Sequence, residues 1–96
     1  MFVKIHRDER ETILAACDEE LVGRTFRSEG ARLDVSEIFY KGESVGREVL
    51  VERMKSATIM NLVGEEVVAI AIEQGYATES SVIEIDGIRH LQVVLM

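Results

Sequence analysis

Thr58-Ile59-Met60-Asn61-Leu62-Val63 (58–63) decides the fold. Apart from Asn61 it is a nearly continuous apolar run, and Gly64 ends it. Helical spacing precedes and follows it. A short apolar run set between helices is expected to be a central strand, covered on both faces and paired in parallel.

Upstream, Arg47 to Ala57 sets Val49, Leu50, Arg53, Met54 and Ala57 at helical spacing, with Glu48, Glu52 and Lys55 on the polar side. That predicts an amphipathic helix. Downstream, Glu65 to Gln74 carries Val67 to Ile72 almost all round, so this helix should be largely covered, with Gly75 closing it.

Further out, Phe2 to Arg7 alternates, with Val3 and Ile5 opposed to Lys4 and His6, as a half-buried strand does. Thr12 to Cys17 is apolar on both faces and should return antiparallel to it, after the polar turn Asp8-Glu9-Arg10. Asp18 is placed to cap a short helix running to about Arg27, with Glu19 and Glu20 in its first turn, Gly23 weakening it and Gly30 ending it. Ala31 to Val35 alternates as a third strand, and Ser36 caps a single turn over 37–41. Gly42 to Gly46 reads as loop. At the far end, Val82–Ile85 and Ile88–Leu95 flank Asp86-Gly87, a dipeptide suited to a type I′ turn. The hairpin register then sets Ile85 opposite Ile88, Glu84 opposite Arg89 and Ile83 opposite His90.

The order read is β-β-α-β-α-β-α-β-β. It predicts the mixed α+β class: one mixed parallel and antiparallel sheet with helices on at least one face, in a single domain over 1–96. At 96 residues and 47% apolar, the chain can bury one core of its own. A domain this size buries about 60–65% of its unfolded surface, which suffices for one core and not two. The single Cys17 excludes an internal disulfide, no apolar run approaches a bilayer span, and residues 1–7 look like a strand rather than a leader. The expected setting is cytoplasmic and soluble.

Net charge is −7, which disfavours broad nucleic-acid binding. The charge is uneven, however. Residues 1–32 hold six of the 11 Lys and Arg but seven of the 18 Asp and Glu. An RNA footprint would therefore fall on Lys4, Arg7, Arg10, Arg24 and Arg27.

No set of residues announces catalysis. The starts at Cys17-Asp18-Glu19-Glu20 and Val63-Gly64-Glu65-Glu66 already carry carboxylates that repel phosphate. Cys17 sits at a strand end, but its acidic neighbours oppose a thiolate, and a small buried role suits it better. One Cys and two separated His provide no metal-ligand spacing. Asp18 and Glu65 are the only pair to consider for Mg²⁺, and nothing requires it. No cofactor is called for. The best local candidate for a site is His90 with Gln92, which share one side of the last strand, joined by Asn61, Gly64 and Cys17 if the sheet gathers them.

Ala16-Cys17-Asp18-Glu19-Glu20-Leu21-Val22-Gly23, Asn61-Leu62-Val63-Gly64-Glu65 and Gly87-Ile88-Arg89-His90-Leu91-Gln92-Val93-Val94, in this order, resemble the archaeal family catalogued as domain of unknown function 424. The resemblance covers essentially the whole chain. It implies an archaeal, thermophilic, stand-alone cytoplasmic protein with a loose association to translation, and no established activity, cofactor or catalytic residue. Where the family pattern carries Pro before the histidine, this chain has Arg89, which suits the hairpin.

The leading expectation is a non-catalytic binding or assembly domain acting with RNA or a translation-related protein. The rival is a small enzyme or ligand-binding domain built on Asn61, Gly64, His90 and Gln92 with Cys17 nearby. A third expectation is a homodimer formed through the long apolar last strand.

Overall fold

The computed structural model describes residues 1–95. In chain order its elements are β1 (Phe2–Arg7), β2 (Thr12–Cys17), β3 (Thr25–Ser28), β4 (Ala31–Asp34), α1 (Glu37–Tyr40), β5 (Glu43–Ser44), α2 (Arg47–Met54), β6 (Ile59–Val63), α3 (Glu65–Glu73), β7 (Ile83–Ile85) and β8 (Ile88–Val94). Single 3₁₀ turns occur at Glu19–Leu21 and Glu79–Ser81. The class is mixed α+β: a six-stranded mixed sheet of order β5-β1-β2-β6-β8-β7, plus the two-stranded hairpin β3-β4. Among the described residues, no helix is long and apolar enough to cross a membrane.

Residues 59–63 do form the central strand. β6 pairs in parallel with β2, setting Asn61 beside Ala15, and antiparallel with β8, setting Asn61 beside Gln92. The β7-β8 hairpin has the expected register, and its turn has the required left-handed pair, Asp86 at φ +53° and Gly87 at φ +77°.

One face of the sheet is dry. Leu14, Met60 and Leu62 pack beneath Leu50 and Met54 of α2 and Val67, Val68 and Ala71 of α3, all at 0% exposure. Truncating a buried leucine such as Leu62 to Ala costs about 2–5 kcal/mol. α2 buries a narrower stripe than its spacing suggests, because Val49 remains 39% exposed.

The expected helix from Asp18 to Arg27 does not form. Asp18 begins one 3₁₀ turn, Gly23 bends the chain at φ +83°, and Thr25–Ser28 runs as β3 against β4. Two facts decide this. The Asp18 carboxylate is engaged elsewhere, and Phe26 and Leu33, cross-strand partners, bury together with Val35, Cys17 and Val63. Ala31–Asp34 therefore belongs to this hairpin and not to the main sheet, leaving β2-β6 as the one parallel pair among the described residues. The loop expected at 42–46 contains the two-residue edge strand β5, laid against β1.

Candidate functional site

The strand registers place Lys4, Ala15, Asn61 and Gln92 in one row across the sheet, on the face turned away from α2 and α3. The row above runs Phe2, Cys17, Val63, His90 and Ile83; the row below runs His6, Ile13, Ile59 and Val94. Four of the candidate ligand residues, Cys17, Asn61, His90 and Gln92, thus share one face, with Cys17 in its covered part. The hairpin and α1 cover only part of it. Ala15, Cys17, Val63 and Ile85 are buried under them, and the His6 ring stacks on Phe39 at 4.6 Å. The remainder is open: Ile83 is 54% and Val94 66% exposed, Gln92 is exposed, and Ile13, Ile59, Asn61 and His90 are partly so. Ile38 of α1, 83% exposed, stands on the covering side.

The polar groups of this face bond to one another or to backbone. Gln92 Nε2 donates to Asn61 Oδ1 at 2.8 Å. His90 Nδ1 lies 2.9 Å from the Leu62 carbonyl. A carbonyl can only accept, so Nδ1 carries a proton, and His90 lines a shallow pocket with Ser81, Ile83 and Gln92. Among the described residues, the only carboxylates on strands of the main sheet, Glu43 and Glu84, register with Val3 and Arg89 on the opposite face. In a chain of net charge −7, the strands' described residues place no acid on this face of the sheet.

Gly64 and Cys17 are drawn into other roles. Gly64 adopts φ +117° at the end of β6, and a Cβ there would lie 2.4 Å from Asp18 Cγ. The Asp18 carboxylate passes over it to accept the backbone N–H groups of Glu66 and Val67 at 3.0 and 3.1 Å, capping α3 from another strand. Both of its oxygens are thereby engaged with α3. Burial raises the Asp18 pKa above its ordinary 3.8, against the lowering effect of the two N–H groups. Cys17 is fully buried, and burial together with the Asp18 charge pushes its thiol up to about 11. Such a thiol is no nucleophile near neutral pH.

The five basic candidates do not form one patch. Lys4 Nζ donates to the Ile38 carbonyl at 2.6 Å. Arg7 ends β1 and Arg10 lies in the β1-β2 turn, at the opposite end of those strands from the connection to the hairpin. Arg24 lies over the Phe26 ring, 4.9 Å from its centre. Arg27 sits directly opposite Arg32 across the hairpin, and Arg32 is paired with Asp34 at 3.0 Å.

The sequence reading missed the apolar members of the open face, Ile13, Ile59, Ile83 and Val94. The available signal was the alternation of Ile59 and Asn61 with Met60 and Leu62, hidden by the overall hydrophobicity of 58–63. It also missed Arg32 as the partner of Arg27.

A search of curated proteins finds no match. Among solved structures, the crystal structure of an uncharacterized conserved protein from Methanopyrus kandleri is similar at 26% identity and a TM-score of 0.84, covering 99% of this chain and 92% of that one. Residues 6–96 match the family described as protein of unknown function (DUF424), and the chain belongs to that family.

Proposed function

We propose that this chain is a non-catalytic binding domain that docks a protein partner through the open part of its sheet. The observation that carries the reading is the composition of that surface. Ile13, Ile59, Ile83 and Val94 surround the bonded Asn61–Gln92 pair, and among the described residues no strand places a carboxylate on this face of the sheet. Contiguous apolar area bordered by satisfied polar groups is what protein interfaces present, and soluble monomers rarely leave it uncovered. The enzyme reading is weaker. Gly64 and Cys17 are withdrawn from the surface, and Asn61 and Gln92 bond to each other.

A second reading, RNA binding, is favoured by one observation. Arg27 and Arg32 face each other across a two-stranded ribbon, and the Asp34 carboxylate paired with Arg32 offsets only one of the two charges.

Affinity capture from native lysate, with bound protein and RNA both sequenced, separates the two. The proposal predicts a discrete protein partner that an Arg27→Glu/Arg32→Glu variant retains and an Ile59→Glu/Ile83→Glu variant loses. A partner kept by the Ile59→Glu/Ile83→Glu variant contradicts it. RNA captured by the wild type and lost with the two arginines supports the second reading instead.

A further inference from the structure

We draw no further inference here: the strongest candidate, the open apolar part of the main sheet around Ile59, Ile83 and Val94, belongs to the site already described, and nothing in the structure shows what covers it.

Discussion

Asp18 and Gly64 occupy the same corner because Gly64 has no side chain: a Cβ on it would meet Asp18 Cγ at 2.4 Å. This contact lets a carboxylate at the end of β2 cap α3, the helix that follows β6, and so ties the two central parallel strands to the helix covering them.

Gly64→Ala should therefore be costly. The left-handed backbone and the overlap together predict about 3 kcal/mol. Asp18→Ala, which removes a helix cap from a buried position, should cost about 1–2 kcal/mol. The double variant should lose less than the sum, because removing the carboxylate relieves the overlap. Urea unfolding of the three variants measures this; strict additivity would show that the two residues do not share the strain.

The pH dependence follows from the same carboxylate. Its folded pKa is raised above 3.8, so the folded state holds the proton more tightly than the unfolded chain. The resulting stability is fully present below 3.8 and is lost as pH rises through the folded pKa. Asp18→Asn cannot titrate, and the stability of wild type relative to this variant should fall over that window. A flat difference would mean that the two helix N–H groups cancel the effect of burial, and a difference that rises with pH would mean that they outweigh it.

Cys17 should be inert in the folded protein. Full burial and a pKa of about 11 predict that a thiol reagent at neutral pH modifies it only at the rate of global unfolding. Rapid stoichiometric labelling under native conditions would show that the β3-β4 hairpin lifts off the sheet.

Arg27→Thr should stabilise the chain slightly. It removes a directly opposed like-charge pair and adds a β-branched residue to a strand, for a gain of about 0.3 kcal/mol. The gain should shrink with added salt. Thermal unfolding at low and high ionic strength checks this, and a loss of stability would mean that Arg27 packs in a way that its exposed position does not suggest.

Much of the fold was legible because it rests on local signals. Asp86-Gly87 specified its turn, Gly75 closed α3 and the apolar run at 59–63 marked the centre of the sheet. The hairpin at 25–34 was not, because Asp18-Glu19-Glu20 is a good local helix start and its true use lies 48 residues away, on Glu66. For the same reason Gly64 looked like part of a ligand site. The grouping of Asn61, His90 and Gln92 on one face was readable from strand parity once β6 and β8 were placed side by side. Its openness was not, since that depends on how far α1 and the hairpin reach across the sheet, which no periodicity records.

The most direct test of the open face as a docking surface is site-specific photocrosslinking in living cells. A photoreactive residue is placed in turn at Ile59, on the open face, and at Val49, exposed on α2 on the other side of the sheet. The account predicts a discrete protein adduct from position 59 and none from position 49. Equal adducts from both, or none from position 59, would contradict it.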